Sequence, residues 1–362
     1  MKITAVEVFL LHGRFVYVKV STDEGLSGWG TAAFHGGPVT AEAARRLGAE
    51  LVGADPLATT AIWDACVHRN YRWVSTGAGA AALAGLDIAL HDIKGKALGT
   101  PVFNILGGKV RERVAVYSSL MTRGLLPAHD AERVAARVER GFGWVKLHTG
   151  TPWDYDAGAD ETIATVASVR ELCGGADRVK LLVDANNGFT VNGAISVGRS
   201  LEALAVSHFE EPIAPWDYEG YRRLTAALDL PIAAGEQDFS LGQFRDLVTV
   251  AQVDIIQPNV TSCGGYTQAM RIAALAEAYN RPITSHNTDP ALGTVAHLHF
   301  WAATPMCLYP QEFFGEDTHP LVDDTPVLAT PVEVVDGQIA VPDGPGLGVE
   351  IDEAAVRRAA DA

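Results

Sequence analysis

The sequence predicts an α/β fold in which a (β/α)₇β barrel, a modified TIM barrel, is joined to an α+β capping domain. Eight short strand-like runs alternate with helical patterns after residue 112, which is typical of a parallel barrel. The first third lacks this alternation and opens with antiparallel strand patterns. We therefore assign residues 1–112 to the capping domain and 113–327 to the barrel, and expect the turn-rich tail, about 328–362, to complete the cap.

The capping segment begins with strand patterns and continues with helices. Residues 1–32 contain ITAVEVFLL and VYVKVST, followed by the turn-rich DEGLSGWG, which indicates two or three antiparallel strands. The run GAGAAALAGLDIALHDIKGKALG at 77–99 is rich in small residues and predicts a tightly packed helix. Gly99 and Pro101 end that helix.

The barrel segment is a series of short apolar runs, each followed by a polar or helical stretch. Amphipathic patterns at 191–205 and 218–228 are among the helices that separate the runs. The predicted strands are VAVYSSL (114–120), WVKLHTG (144–150), KLLVDAN (180–186), HFEEP (208–212), PIAAGE (231–236), VDIIQPN (253–259), PITSHN (282–287) and CLYPQEF (307–313).

Three of these runs end in carboxylates at equal intervals. Asp184, Glu210 and Glu236 are 26 residues apart in each step, with a helical pattern in each gap. A strand–helix–strand unit of that length makes the neighbouring strands parallel, so the three side chains meet at one edge. Three such oxygen ligands suit a hard cation such as Mg²⁺. Without a cation, their repulsion and desolvation would cost on the order of several kcal/mol.

Other polar side chains stand at the ends of the remaining barrel runs. Because the active site of such a barrel lies at the C-terminal ends of its strands, these residues are candidates for the same site. They are Lys146 and His148 in the second run, Asn186 in the third, Asn259 in the sixth, His286 in the seventh and Glu312 in the eighth.

Composition excludes several classes of function. A net charge of −16 argues against binding to nucleic acid or to an anionic membrane surface. The four cysteines have no close spacing, so we expect free thiols and neither a disulfide framework nor a zinc site. Glu7 interrupts the apolar start, and no uninterrupted apolar run of about 18 residues occurs, so we expect a cytoplasmic protein.

The segments together resemble the enolase superfamily, specifically its mandelate racemase subgroup. The resemblance rests on ALAGLDIALHDIKGKALG, PVFNILGG, VDAN, FEEP, AGE, QPN…CGG and SHN, and it covers nearly the whole chain. It implies a Mg²⁺ cofactor held by Asp184, Glu210 and Glu236. It also implies removal of the proton α to a carboxylate through a metal-stabilised enediolate, a small-molecule carboxylate substrate, and assembly as a homo-oligomer.

The chemistry of that reaction points to Lys146 and His286 as the catalytic pair. The α proton is very weakly acidic, so a cation must stabilise the developing charge. The positive charge of the cation would also lower the pKa of a nearby lysine and make it a usable base. We expect Lys146 and His286 to reach the substrate from opposite faces.

Two departures from the family pattern shape the expected reaction. Many members carry Lys-x-Lys in the second strand, where this chain has Lys146, Leu147 and His148. Members with a His–Asp pair carry Asp where this chain has Asn259, and a neutral amide raises histidine basicity less. We therefore expect His286 to act as an acid. We favour dehydration or cycloisomerisation of an aldonate, aldarate or anhydro sugar acid.

The remaining candidates concern substrate contacts, each with an alternative structural role. The resemblance makes Asn186 a substrate or metal-water contact and Glu312 a hydrogen-bond partner of the substrate carboxylate. Asn259 either orients His286 or caps its strand, and His148 either contacts substrate or is structural. In the front domain, His35 and Trp29 are candidates to close over the site and set specificity.

Two other functions stay open at this stage. A racemase or epimerase of a hydroxy acid would use the same fold and the same residues. A non-catalytic barrel that only binds a sugar acid is disfavoured because both the metal ligands and the proton-transfer groups are intact.

Overall fold

The front of the chain is a three-stranded antiparallel sheet packed against a long helix, α3. The structure, a computed structural model, describes residues 1–32, 36–124, 126–151 and 154–361. Strand order is β1-β2-β3. The packing of α3 on β3 is close because a Cβ on Gly30 would lie 2.0 Å from the Gly85 carbonyl oxygen. The elements are β1 Ile3–Leu11, β2 Phe15–Thr22, β3 Ser27–Ala32, α1 Gly37–Leu51, α2 Thr59–Asn70, α3 Gly77–Leu98 and α4 Val102–Ile105.

The rest of the chain forms a curled parallel sheet with helices outside it, which confirms the predicted fold class. The strand order is β10-β4-β5-β6-β7-β8-β9, so nearly every strand pairs with the next one along the chain. The strands are β4 Arg113–Leu120, β5 Trp144–His148, β6 Lys180–Asp184, β7 His208–Glu210, β8 Ile232–Ala234, β9 Ile255–Ile256 and β10 Gln311–Phe314. The helices are α5 Pro127–Glu139, α6 Ala159–Cys173, α7 Val191–Ala203, α8 Tyr218–Ala227, α9 Leu241–Asp246, α10 Gly265–Ala278 and α11 Leu292–Ala303, with π-helical turns at Leu247–Ala251 and Pro320–Asp324.

The segment 282–287 was expected to be a strand, and this prediction is wrong. Its backbone makes an isolated parallel bridge between Ile283 and Ile256. On the β10 side, Ile283 N–H donates to the Met306 carbonyl oxygen at 2.8 Å, but the later amides donate to side chains: Ser285 N–H to Gln311 Oε1 at 2.8 Å and Asn287 N–H to Glu312 Oε2 at 2.8 Å. These side-chain acceptors replace the backbone ladder that a strand would need.

The tail contacts both parts of the molecule. Strand β11, Gln338–Ala340, pairs antiparallel with β4 of the barrel sheet. Helix α12, Glu353–Asp361, lies against the front sheet, where Lys19 Nζ reaches Glu353 Oε2 at 2.6 Å. Within the described ranges, no helix is both long and apolar enough to cross a membrane.

Helix α11 is buried on every side and carries a histidine that should make the fold acid-sensitive. His299 accepts a hydrogen bond from Phe103 N–H at 3.3 Å, and its Nε2–H donates to Leu347 O at 3.0 Å. Burial lowers the pKa of His299 to about 4, and only the backbone bond to Leu347 opposes it. The folded protein therefore holds this ring neutral.

We expect this histidine to cost stability as the pH falls from about 6.5 to 4. As the pH falls, His299 takes up a proton in the unfolded chain before it does so in the folded protein. The stability that the neutral, buried ring contributes is therefore complete above the unfolded-state pKa and is lost as the pH falls towards the folded-state pKa. Relative to His299→Gln, the wild type should lose up to about 3 kcal/mol of unfolding free energy over this range. Urea titrations of both proteins measure the difference, and a constant difference across the range would contradict the expectation.

Candidate active site

The three carboxylates predicted to share a metal ion lie together at the ends of β6, β7 and β8. Asp184 and Glu210 are the last residues of β6 and β7 and are paired in register, and Glu236 follows β8 by two residues. One oxygen from each residue lies within 4.8 Å of the others. The equal spacing in sequence thus becomes a compact cluster because each step adds one parallel strand.

The chemistry of this cluster fits a divalent cation. Glu236 Oε2 is buried and, within the described ranges, has no hydrogen-bond partner, although His286 Nε2 lies 3.4 Å away. Burial, reinforced by Glu211 and Asp184, raises the pKa of Glu236 well above its usual value. Crowded, buried oxygen ligands of this kind are stabilised by a hard cation such as Mg²⁺.

Lys146 lies at the centre of the carboxylates. Its Nζ atom is 2.6 Å from Glu210 Oε1, 2.8 Å from Glu312 Oε1 and 3.3 Å from Asp184 Oδ2, and the side chain is fully buried. Burial alone would lower the pKa of Lys146, but Glu210 and Glu312 outweigh it and raise the pKa well above its ordinary value. The ammonium group therefore offsets part of the buried negative charge.

His148 contacts a carboxylate of the cluster. Its Nδ1–H donates to Leu120 O at 2.6 Å, and its Nε2 lies 3.2 Å from Asp184 Oδ2. Burial favours the neutral acid of Asp184, but Lys146 and then His148 overcome this effect and lower its pKa. His148, which stands where many family members have a second lysine, thus contacts Asp184 and helps to keep it ionised.

His286 faces the cluster from the segment that follows β9 and α10. Its Nε2 points at Glu236, and its Nδ1 lies 2.9 Å from Asn259 Nδ2. Asn259 Oδ1 accepts hydrogen bonds from Thr261 N–H at 2.8 Å and Thr261 Oγ1 at 2.7 Å. Because a backbone N–H fixes the amide in this orientation, Asn259 presents its NH₂ group to His286. The ring nitrogen Nδ1 must then accept, and the ring proton lies on Nε2.

Glu312 is enclosed within the site, whereas Asn186 lies in a partly exposed loop beside it. Glu312 is fully buried, and although burial opposes it, Lys146 and His286 lower its pKa to about 2. Asn186 follows Asp184 in a left-handed conformation with φ of 42°. Its N–H donates to Asp184 Oδ1 at 2.8 Å, and its Oδ1 accepts from Arg123 Nη2 at 3.0 Å.

One of the two front-domain candidates, Trp29, needs correction. Trp29 is in strand β3 and is buried, with its ring stacked on Phe9 at 5.7 Å between centroids and Lys19 Nζ 5.6 Å from its ring. It therefore belongs to the core of the front sheet, and we withdraw it as a substrate contact. His35 lies outside the described residues.

The wall that the front domain does contribute comes from the start of α3. Gly77, Ala78 and Ala81 line a cavity together with Glu236, Asn259 and His286. The small residues of this helix thus lie beside the carboxylate cluster and leave room for a ligand.

Three residues of the site were missed in the sequence. The first is His208, whose Nε2 lies 3.3 Å from Glu210 Oε2. The second is Tyr117, whose ring centre lies 6.0 Å from Lys146 Nζ. The third is Arg123. Strand alternation could have revealed His208, because residues two apart point to the same face. Arg123 also contacts Thr149 O at 3.1 Å, and nothing in its loop sequence signals this position.

Comparison with protein families gives two matches that cover most of the chain. Residues 129–355 match the enolase C-terminal domain-like family. Residues 6–107 match the mandelate racemase/muconate lactonizing enzyme N-terminal domain family.

Two curated relatives match this chain along nearly their full length. A D-galactarolactone cycloisomerase from Agrobacterium fabrum is 33% identical, covering 98% of each chain. A D-galactonate dehydratase from Ralstonia nicotianae is 34% identical, covering 98% of this chain and 94% of the relative.

Solved structures agree with this relationship. A mandelate racemase/muconate lactonizing protein from Paracoccus denitrificans, complexed with magnesium, superposes with a TM-score of 0.91 at 33% identity, covering 99% of this chain and 96% of the other. The 3,6-anhydro-D-galactonate cycloisomerase from Zobellia galactanivorans has a TM-score of 0.88 at 27% identity, covering 99% of both chains.

Proposed function

Because this chain belongs to the mandelate racemase/muconate lactonizing enzyme family of the enolase superfamily, we propose that it is a Mg²⁺-dependent lyase or isomerase of sugar acids. The observation that carries the proposal is the buried cluster in which Lys146, from β5, and His286, from the segment after α10, face three crowded carboxylates. The names of its relatives, cycloisomerases and dehydratases of galactose-derived acids, support the substrate class.

In this proposal Asp184, Glu210 and Glu236 hold the cation. When bound, Mg²⁺ supplies positive charge next to the substrate carboxylate, where negative charge accumulates as the α proton leaves. The cation would also take over the charge balance that Lys146 provides by itself, which leaves the lysine freer to lose its proton.

The remaining groups divide the proton transfers between them. Lys146 removes the α proton, and Glu312 holds its amino group in place. His286, with its Nε2–H directed into the site by Asn259, donates its proton to the oxygen that leaves the β carbon, which departs as water in a dehydration and as the former ring oxygen in a ring opening. His148 orients Asp184 from the side.

The proposed domains have separate tasks. We propose that residues 1–112, completed by about 328–362, form the cap, with β11 of the tail also joined to the barrel strand β4, and that residues 113–327 form the barrel that carries the charged groups. The start of α3 covers the site on the side of His286 and limits access of water. We further propose that the substrate is a small carboxylate and that the chain assembles into homo-oligomers.

Epimerisation is the second candidate. Two proton-transfer groups, Lys146 and His286, face the same cluster, and such a pair could also exchange a proton between the two faces of one carbon. The fixed Nε2–H of His286 favours donation, so we rank dehydration and cycloisomerisation first.

The test is incubation of the protein, with Mg²⁺ and D₂O, with a panel of aldonates, aldarates, their lactones and anhydro sugar acids. We expect NMR to show loss of water or a change between cyclic and open forms, with deuterium at the α carbon. Deuterium with inversion alone would identify an epimerase. No change in any acid, combined with tight binding of one of them, would support the non-catalytic alternative.

A further inference from the structure

Two adjacent glycines begin helix α10 at a point where the front domain presses on the barrel. Gly264 and Gly265 have φ of 94° and 80°. A Cβ on Gly265 would lie 2.6 Å from Asp87 Oδ2, and one on Gly264 would lie 3.2 Å from Trp63 Nε1. The double glycine is therefore required both by its left-handed backbone and by the approach of α2 and α3.

Asp87 of α3 caps helix α10 from the other part of the fold. It is 1% exposed and accepts hydrogen bonds from Thr267 N–H at 3.0 Å and Thr267 Oγ1 at 2.6 Å. Trp63 Nε1–H adds a bond to Gly264 O at 2.8 Å. The first residues of α10 have no side-chain cap of their own, so this distant carboxylate satisfies a free N–H and complements the helix dipole.

The turn that leads into α10 is built around Asn259. The N–H groups of Ser262 and Cys263 donate to Asn259 O at 3.0 and 2.8 Å, while Thr261 holds its side-chain oxygen. The five residues from 259 to 263 thus form one compact unit between β9 and the capped helix. The turn is followed directly by Gly264, which accepts from Trp63, so a shift at the start of α10 would be passed to the turn along the chain.

We propose that Asp87 is a positioning residue for His286. Asp87 caps α10 and thereby holds the turn at 259–263 in place. This turn makes Asn259 present its NH₂ group to His286 Nδ1. The ring is thereby kept in the single tautomer whose Nε2–H faces the site. The catalytic consequence rests on the proposed function, whereas the tautomer is a property of the protein without substrate.

The tautomer can be measured directly. Nitrogen NMR of the histidine-labelled protein at about pH 8, with His286 assigned from the His286→Asn spectrum, separates protonated from unprotonated ring nitrogens. We expect wild type to show Nε2 protonated and Nδ1 bare, and Asp87→Ala to show a mixture of both forms. Asp352→Ala is the matched control, because Asp352 accepts from Ala355 N–H at 2.9 Å at the start of α12, away from His286.

Kinetics gives an independent readout of the same role. We expect Asp87→Ala to lower kcat about tenfold with KM unchanged, and to keep deuterium exchange at the α carbon, because Lys146 is untouched. If the alanine variant does not fold, Asp87→Asn replaces it, with a smaller shift in the same direction. A single wild-type tautomer in a folded Asp87 variant would overturn the proposal. Absence of turnover in wild type would affect only the proposed function.

Discussion

Replacing Glu236 by glutamine is expected to abolish Mg²⁺-dependent turnover and to weaken Mg²⁺ binding by at least about 100-fold. The variant keeps the shape of the side chain but removes the charge that a hard cation needs. Calorimetric titration with Mg²⁺ and assays with the substrate found by the D₂O panel measure the two effects. Asp184→Asn and Glu210→Gln should behave in the same way because all three oxygens converge on one point.

Although Glu236→Gln should abolish activity, it should make the metal-free protein more stable. Burial raises the pKa of Glu236, so its ionised form is unfavourable without a cation, and the neutral amide should raise the unfolding temperature. Mg²⁺ should then stabilise wild type but not the variant. Asp238→Asn is the control, a buried carboxylate outside the cluster that accepts from Tyr218 at 2.7 Å. Full turnover in EDTA would refute the metal assignment.

Loss of Lys146 should have the second large effect, and it should differ from loss of His286. We expect Lys146→Ala to eliminate turnover, by at least about 1,000-fold, together with deuterium exchange at the α carbon. His286→Asn should block product formation but keep some exchange, because the α proton can still be removed while the donor to the departing group is missing.

Lys146→Ala also leaves three buried carboxylates without their counter-charge, so its assay needs saturating Mg²⁺ and an unfolding curve recorded under the same conditions. A folded Lys146 variant that retains exchange, together with a His286 variant that loses it, would mean that the two roles are reversed. Retention of exchange in both variants would point to a different base.

The parts of the site that sequence could predict are those that depend on strand order alone. Asp184, Glu210 and Glu236 were located by their spacing because parallel strands bring equal positions to one edge. The same argument brings Lys146 and Glu312 to these carboxylates, and His286 also reaches them although its segment is not a strand. It could not give the contacts of Lys146 with three carboxylates, which depend on side-chain reach across strands.

The errors have physical causes that are local. Trp29 lies in the turn-rich sequence DEGLSGWG, which favours a loop. The residues after the turn instead form β3, which pairs with β2 as a hairpin, so the Trp29 ring joins the core. Residues 282–287 have a strand-like pattern, yet Gln311 and Glu312 side chains take the hydrogen bonds that a neighbouring strand would make. Arg123 could not be located because its partners, the carbonyl oxygens of Thr149 and Gly150 and the side chain of Asn186, lie in other loops.

The side-chain hydrogen bonds between β10 and the segment 282–287 have a consequence for how this fold diverges in evolution. Lys146 and the carboxylates Asp184 and Glu210 lie on strands whose register is fixed by backbone hydrogen bonds to neighbouring strands. His286 is carried on a segment that the Gln311 side chain joins to β10, by accepting from Ser285 N–H and donating to the Ile283 carbonyl oxygen, and among the described residues this side chain makes no hydrogen bond to Lys146. A substitution at Gln311 can therefore move His286 while the strands that carry Lys146, Asp184 and Glu210 keep their register.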